Sequence, residues 1–248
     1  MGKILTVTGL NVYYKVKKPG KAGRERVHIL KDISFEMEEG EILGLVGESG
    51  SGKSTLAKAI LSMVADHEGK IWCKDTHPQM IFQDPFGSLN PAKKVGWILQ
   101  EPLRNLKRCP AGERYNRAVE MLEKVGLSEK YMVHYPHQLS GGQRQRVCIA
   151  AALMLHPGLV LADEPVSALD VTIQRQVLEL LLKLKKEMGL SILFISHDLR
   201  VVYQLCDRVM IMERGQIVEQ QKTEEIYFHP QHEYTKRLLD AAGIRSLT

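Results

Sequence analysis

The sequence contains little cysteine, and its cysteines are far apart. The 248 residues include four of them, Cys73, Cys109, Cys148 and Cys206, and no C-x-x-C pair. Zinc and iron–sulfur centres usually draw on closely spaced cysteines, so the pattern indicates neither kind of site. We expect the four side chains to be reduced thiols.

Long apolar runs and a secretion signal are also lacking. The longest apolar stretches, such as residues 177–184 and 191–195, are too short or too interrupted to span a bilayer. The first three residues lead into no signal-peptide core. We therefore expect the protein to stay in the cytoplasm.

Neither sign of charge is in large excess. The formal net charge is +5, and the basic residues concentrate locally in residues 15–26, next to a proline and two glycines. Glycine and proline favour a solvated hairpin tip over a nucleic-acid patch, so we predict no nucleic-acid partner. With 44% hydrophobic and 25% charged residues, the composition is typical of a soluble globular protein. The length suits one α/β domain, with or without an inserted subdomain.

The most informative stretch is the glycine-rich segment 47–55, Gly-Glu-Ser-Gly-Ser-Gly-Lys-Ser-Thr. It follows the apolar run 42–46 and precedes apolar residues at helical spacing, which is the context of a phosphate-binding P-loop. A glycine-rich turn before a helix is the alternative, but both flanks fit the P-loop. Glycines let successive N–H groups approach an anion, and the helix start adds its positive dipole end.

These residues predict a nucleoside triphosphate site. Lys53 is expected to contact the β and γ phosphates, and the Ser54 hydroxyl to ligate Mg²⁺. The predicted ATP-binding residues of the loop are Gly47, Ser49, Gly50, Ser51, Gly52, Lys53, Ser54 and Thr55.

Polar side chains follow three other apolar strands. Asp163 and Glu164 end one strand, where the first acid can hold Mg²⁺ and the second can polarise an attacking water. An acidic strand end closed by proline is the alternative. Gln83 and His197 end two further strands, at the edge where α/β folds bind ligands, although a lone histidine is more often structural.

Residues 139–143, Leu-Ser-Gly-Gly-Gln, form a second glycine-containing helix start. Ser140 and Gln143 fit a capping box. Gly141 and Gly142 each cost the helix roughly 1 kcal/mol relative to alanine, which a cap alone would not require. We interpret them as a place where a ligand approaches the backbone, such as a second phosphate contact.

The remaining pattern predicts antiparallel strands at both ends of the chain and helices in its middle. The strands lie within residues 4–37 and 209–218, the second pair turning at 214–215. Asn90 and Pro91 fit an N-cap and first helical position. The predicted helices cover residues 91–106, 113–125, 141–155 and 234–242, with another after the N-cap Asp198. A long amphipathic helix is predicted to open after Asp170, with Val177, Leu178, Leu181 and Leu184 on one side.

Taken in order, the motifs resemble those of ABC-type ATPases, over nearly the whole chain. The Walker A, signature, Walker B and D-loop motifs are resembled, in that order, by segments 47–55, 139–143, 163–164 and 167–170. Gln83 resembles the Q-loop glutamine, and His197 resembles the switch histidine. The resemblance implies an α/β fold with a P-loop NTPase (RecA-like) core, an N-terminal antiparallel β region and an inserted α-helical subdomain. In a single domain, 1–248, the core and β region would be 1–85 and 156–248, and the helical signature subdomain 86–155.

The resemblance also implies residue roles. The catalytic residues would be Glu164, His197 and Gln83. Mg²⁺ would be held by Ser54, Gln83 and Asp163. Tyr14 rather than Tyr13 would stack on the adenine. The signature residues Ser140, Gly141, Gly142 and Gln143 would act on ATP bound to a partner ATPase. Asp170 would serve communication across that dimer, and Phe86 and Leu89 would contact a permease.

Three segments narrow the resemblance to the ATPase subunits of oligopeptide, dipeptide and nickel importers: 81–91, 162–171 and 229–235. The Phe-Gln-Asp-Pro and Pro-Val-Ser-Ala forms are more similar to the second of two unlike ATPase subunits. The resemblance implies two transmembrane permease subunits, a second non-identical ATPase and an external substrate-binding protein, with this chain at the cytoplasmic face of the membrane. A homodimer, an exporter ATPase and a soluble ABC-type ATPase are the alternatives.

The sequence departs from the family at several places. Residues 69–80 form a shorter span than usual, which indicates a missing strand or short helix, and Ala151 replaces a common arginine. The tail after Ala242 carries no cysteine, which favours a metal or metallophore importer over a peptide importer.

Overall fold

The computed structural model of the chain describes residues 2–17, 24–105 and 109–244. They fall into two compact units. The first contains the residues up to 76 and those from 191 onward, and the second contains residues 77–190. The predicted helical subdomain 86–155 lies within the second unit, and its exact bounds remain a prediction.

The described part of the chain is mixed α/β. Its strands are β1 (Lys3–Lys17), β2 (Arg24–Glu38), β3 (Ile42–Val46), β4 (His67–Cys73), β5 (Gln79–Ile81), β6 (Leu159–Asp163), β7 (Ser191–Ile195), β8 (Arg208–Glu213) and β9 (Gln216–Lys222). Its helices are α1 (Lys53–Ile60), α2 (Pro85–Ser88), α3 (Val95–Asn105), α4 (Ala111–Lys124), α5 (Gly141–Leu153), α6 (Val171–Met188), α7 (Leu199–Leu205), α8 (Thr223–Phe228) and α9 (Glu233–Ala241). Short 3₁₀ turns cover Glu129–Val133 and Pro136–Gln138.

An antiparallel sheet opens the first unit. β1 pairs with β2 on one side and with β4 on the other. Alternate side chains of the two long strands, such as Leu5, Leu10, Ile33 and Met37, are fully buried. Because side chains alternate across a strand, this pattern puts one face of the hairpin in the core. The antiparallel N-terminal region predicted from the sequence is confirmed.

Parallel strands form the centre of the same unit. β3 lies between β7 and β8 and runs parallel to both, and β9 returns antiparallel to β8. Every residue of β3 and β7 is buried, as expected for parallel strands covered on both faces. The β8–β9 hairpin turns at Arg214 and Gly215, both of positive φ, which suits a tight hairpin turn.

The second unit is largely helical. β5 and β6 pair in parallel, and α2–α5 lie between them in the sequence. Apolar side chains of α3, α4 and α5, among them Leu99, Leu122 and Val147, are fully buried. Helix α6 buries Val177, Leu181 and Leu184 as predicted, together with Leu180, whereas the predicted Leu178 is only half-buried. Each helix in the described part of the chain is too short or too polar to span a bilayer.

The predicted helix start at Asn90 and Pro91 is wrong. The Asn90 side chain accepts a hydrogen bond from the Ala92 N–H at 3.0 Å, and its carbonyl accepts one from Lys93 at 3.1 Å. Both bonds close a turn, and the helix begins four residues after Pro91, at Val95. Asn-Pro serves turns as well as helix starts, so the local pattern did not distinguish them.

Candidate functional site

The predicted P-loop connects the buried strand β3 to helix α1. Its first glycine is required by packing, since a Cβ atom at Gly47 would lie 2.2 Å from the Met212 carbonyl oxygen. The β8–β9 turn also fixes the loop, because the Gly215 N–H donates to the Ser51 carbonyl at 2.9 Å. The loop is therefore held against the sheet at two points.

The Lys53 side chain folds back onto this loop. Its side chain is buried, and its ammonium group donates to the carbonyls of Gly47 at 2.7 Å and Glu48 at 2.9 Å. The Ser51 hydroxyl is also buried and has no hydrogen-bond partner among the described residues. A buried cation beside an unsatisfied hydroxyl at a helix start is the donor set that a phosphate requires. Ser54, next along α1, is exposed.

His197 lies at the same edge of the sheet as the P-loop. It directly follows β7, whose last residue Ile195 is opposite Leu45 in β3, and the Ser196 N–H donates to the Leu45 carbonyl at 3.2 Å. His197 is exposed, and the next residue, Asp198, caps α7 as predicted by accepting from the Arg200 N–H. The first unit thus brings the P-loop and His197 together.

The second unit brings together Gln83, Asp163 and Glu164. β5 and β6 are parallel with Ile81 opposite Ala162, so the residues that follow both strands leave at one edge. The Gln83 side-chain amide donates to a Glu164 carboxylate oxygen at 2.8 Å. Asp163 is buried at the end of β6, and Glu164 is half-buried. This edge therefore presents two carboxylates of different exposure and one amide.

Glu164 has an unusual backbone conformation. Its φ is +47°, in the left-handed region that side-chain-bearing residues seldom adopt. Its carbonyl accepts hydrogen bonds from both the N–H and the hydroxyl of Ser167, which close the turn after β6. Non-glycine residues in this region occur often at functional sites, where surrounding contacts hold them. Here the turn aims the Glu164 carboxylate at Gln83.

The signature segment forms the start of α5, and its predicted capping box is present. The Ser140 hydroxyl accepts from the Gln143 N–H at 3.3 Å, and the Gln143 side chain accepts from the Ser140 N–H at 3.0 Å. The two glycines differ. A Cβ atom at Gly142 would come within 2.7 Å of Ile173 in α6, whereas one at Gly141 would make only ordinary contact. Packing inside the unit therefore accounts for Gly142, and Gly141 is the glycine that an approaching ligand would explain.

Two residues that hold this segment were not predicted from the sequence. The buried Arg144 guanidinium donates twice to the Leu139 carbonyl, at 3.1 and 2.6 Å. The Tyr131 hydroxyl accepts from the Gln143 amide at 2.9 Å. An arginine in a helix is usually exposed, so nothing local marks Arg144 as buried.

The other predicted site residues differ in how accessible they are. Tyr14 is 38% exposed, whereas the Tyr13 ring is covered by Arg26, at 3.5 Å from the ring centroid, and is stacked on His28. Asp170 is the N-cap of α6 and accepts from the Ile173 N–H at 3.0 Å. Leu89 is only 4% exposed, so its side chain belongs to the core of its unit. The side chain of Phe86 lies outside the described part of the chain.

Comparison with known proteins decides the family. The family model for ABC transporters matches residues 30–167, more than half of the chain. The chain belongs to the ABC transporter family.

This ABC cassette is 46% identical over 253 residues to the dipeptide transport ATP-binding protein DppF of Haemophilus influenzae, covering 96% of this chain and 77% of that protein. It is 45% identical over 260 residues to the oligopeptide transport ATP-binding protein OppF of the same species, covering 97% of this chain and 78% of that protein. Among solved structures, the ATP-binding cassette MJ0796, a dimer in a post-hydrolysis state bound to ADP and Pi, superposes with a TM-score of 0.75. The two are 30% identical, and the superposition covers 88% of this chain and 98% of that chain. The predicted fold and ATPase activity are therefore confirmed.

Proposed function

We propose that this ABC ATPase hydrolyses ATP with Glu164 as the general base. What supports the proposal is the Gln83–Glu164 hydrogen bond of 2.8 Å, which orients the carboxylate of a residue held in a rare backbone conformation. A carboxylate so oriented can accept the proton of an attacking water. Gln83 then acts as the residue that positions the base, and His197, exposed beyond β7, as a second contact to the γ-phosphate.

The phosphates are proposed to bind at the P-loop. Lys53 would exchange its hydrogen bonds to the Gly47 and Glu48 carbonyls for bonds to phosphate oxygens, and the Ser51 hydroxyl would gain the partner it lacks among the described residues. We propose Ser54, Gln83 and Asp163 as the oxygen donors for Mg²⁺, consistent with that ion's preference for oxygen ligands. The bound ion would neutralise charge on the transferred phosphoryl group.

We further propose that hydrolysis drives the import of peptides. The support comes from DppF and OppF, named for dipeptide and oligopeptide transport, which align with nearly all of this chain. The proposed assembly contains two permease subunits, a second and non-identical ATPase, and an external binding protein, with this chain on the cytoplasmic face. Nickel or a metal chelate is the other cargo that the sequence suggests.

The proposed permease contact is the segment 86–97, and Leu89 is unsuitable for testing it. A charge at that buried position would disturb folding and docking together. Ala92 is exposed in the same segment, so Ala92→Glu tests docking with less risk to the fold. Arg175→Glu, at an exposed position of α6, is the matched control.

Uptake in living cells tests the proposed cargo and the proposed role of ATP hydrolysis together. A strain deleted for this gene is complemented with the wild-type chain or with Lys53→Ala, and uptake of a labelled dipeptide, a labelled oligopeptide and radioactive nickel is measured. We expect the wild type to restore peptide uptake and Lys53→Ala to fail. Restoration of nickel uptake alone would overturn the peptide assignment, and restoration of none of the three would overturn import of these cargoes.

A further inference from the structure

The segment 229–235, which marks the importer resemblance, has no part in the hydrolytic site described above. It is nevertheless tightly held. The carboxylate of the buried Glu219 in β9 accepts hydrogen bonds from the N–H groups of Gln231 at 2.8 Å and His232 at 3.0 Å. The His232 ring then caps α9 by accepting from the Tyr234 N–H at 3.2 Å. The start of α9 is therefore fixed to the sheet of the first unit.

Tyr234 extends this connection to the P-loop. Its side chain is 4% exposed, and its hydroxyl accepts a hydrogen bond from the Glu48 backbone N–H at 3.2 Å. Burial raises the pKa of the Tyr234 phenol, so the group stays protonated and neutral at physiological pH. A neutral hydroxyl accepts from Glu48 without placing a negative charge beside the phosphate site.

Tyr234 and Lys53 make hydrogen bonds to the same short stretch of the P-loop backbone. The Lys53 ammonium donates to the carbonyls of Gly47 and Glu48 from inside the loop, and Tyr234 accepts from the Glu48 N–H at the same peptide segment. When Lys53 turns to a phosphate, its bonds to these carbonyls are lost. The Tyr234 bond does not depend on Lys53 and can keep the loop in shape.

Open space beside the loop makes this bond more important. A cavity of about 400 Å³ lies between residues 48–51 of the P-loop and the facing side of α9, with Arg214 and Arg237 also in its wall. Where side chains do not fill the space, packing contributes little to holding a loop, and a directed hydrogen bond contributes more.

We propose that Tyr234 is a positioning residue for the nucleotide, acting through the Glu48 N–H. Because that N–H is engaged by the phenol, it is withheld from phosphate, and the loop's remaining N–H groups keep the orientation that binds the anion. The C-terminal helix thereby sets the affinity of the P-loop. The inference rests on nucleotide binding at the P-loop and is independent of the transported cargo.

Tyr227 provides a matched control. It is as buried as Tyr234, lies in the same unit, and its hydroxyl also makes a hydrogen bond to backbone, donating to the Leu199 carbonyl. Its aromatic contact is with Tyr203. Its hydrogen-bond partner Leu199 lies two residues after His197, the proposed γ-phosphate contact, so the titration with ADP, which has no γ-phosphate, is the decisive comparison of the two variants. Tyr227→Phe removes a buried hydroxyl and its hydrogen bond without touching residues 47–55.

The test compares Tyr234→Phe and Tyr227→Phe in the full chain by titration with ADP and ATP and by thermal unfolding. We expect Tyr234→Phe to raise the Kd for both nucleotides about fivefold, as for the loss of one oriented hydrogen bond, and Tyr227→Phe to stay within about twofold of wild type. Both variants should lower Tm to a similar extent, since each loses one buried hydrogen bond. Equal nucleotide affinities in the two variants would overturn the inference.

A second measurement does not depend on the variants folding. In the wild-type chain without nucleotide, amide hydrogen exchange at Glu48 should be slow, because the N–H is bonded to a buried phenol. Exchange as fast as at an unprotected amide would contradict the inference. Failure of the wild type to bind nucleotide, with Lys53→Ala as the binding-deficient reference, would instead contradict the proposed P-loop function.

Discussion

Tyr13 and Tyr14 are adjacent in β1 and have different surroundings. Alternation along the strand points them to opposite faces. Arg26 covers the Tyr13 ring and His28 stacks on it at 4.5 Å, so both contacts occupy the aromatic surface that an adenine would need. Tyr14 is exposed by comparison. We therefore retain Tyr14 as the proposed adenine platform.

Replacing Tyr14 tests this assignment. A stacking contact contributes about 0.5–1.5 kcal/mol, so Tyr14→Ala should weaken ATP binding by a few-fold to about tenfold, measured by calorimetric titration. Tyr13→Ala is the matched control, because it removes the contacts with Arg26 and His28 and should lower stability while leaving affinity nearly unchanged. If Tyr13→Ala alone weakened binding, the two assignments would be reversed.

Cys148 offers a test of the packing behind the signature segment. It lies in α5, and burial raises the pKa of its thiol to about 11, partly offset by the hydrogen bond with Ser88. At pH 8 only about one thiol in a thousand would be ionised, and the thiolate is the reactive form. We expect iodoacetamide to modify Cys148 far more slowly than the half-buried Cys109 in the folded chain, as followed by peptide mass spectrometry.

The rate at Cys148 should rise about tenfold per pH unit between pH 7 and 10 while the fold persists, since the thiolate fraction rises in that proportion below the pKa. Unfolding in urea should remove the difference between the two cysteines. Equal rates in the folded chain would show that the core beneath α5 is open.

Single residues were predictable from the sequence where their motif is local. Lys53, Asp163 and Glu164 each stand in a short pattern whose residue types and flanking strands define the chemistry. Arg144 and Tyr234 were not predictable as supports, because each acts through a backbone group and Tyr234 acts on Glu48, which is remote in the sequence. Burial and long-range hydrogen bonds leave no periodic signal.

For helices and strands, strong periodicity and turn chemistry gave reliable predictions. The parallel strands appear as continuous apolar runs, and the Arg214-Gly215 turn closes the hairpin that the sequence predicts. The predictions fell short where elements are short. Helix α8, Thr223–Phe228, has too few residues to show a helical period, and the turn after Leu89 uses residues that also start helices. Local preference alone does not decide such cases.

Asp170, at the start of helix α6, has two expected roles that can be tested separately. Asp170 caps the helix by accepting from the Ile173 N–H, and the family resemblance gives it a further role between ATPase subunits. Asp170→Ala should lower the free energy of unfolding by about 1 kcal/mol, because the cap is lost. Asp170→Asn keeps an acceptor and should stay within a few tenths of a kcal/mol of wild type in urea denaturation.

ATP turnover of the assembled transporter then reports the second role. If Asp170 communicates between subunits, Asp170→Asn should reduce turnover although its stability is preserved. Normal turnover in Asp170→Asn together with low stability in Asp170→Ala would leave the cap as its only function.

One chain supplies every predicted motif, whereas a related cassette forms a dimer. MJ0796 is a dimer in its ADP-bound and Pi-bound state. We expect the present chain to pair with a different ATPase chain, because its Phe-Gln-Asp-Pro and Pro-Val-Ser-Ala forms resemble the second of two unlike subunits. Native mass spectrometry of the purified transporter should find one copy of this chain, one other ATPase and two permeases. Two copies of this chain without another ATPase would establish the homodimer instead.

Glu164 is proposed to supply the base for hydrolysis of ATP bound at the P-loop. Glu164→Gln is introduced into this chain in the assembled transporter, and the second ATPase is made inactive so that one site is observed. Single-turnover hydrolysis and retention of ATP are then measured. Because glutamine preserves the shape but cannot accept the proton, we expect nucleotide affinity close to wild type and hydrolysis reduced at least about a hundredfold. Hydrolysis at the wild-type rate would contradict the role of Glu164 as the base.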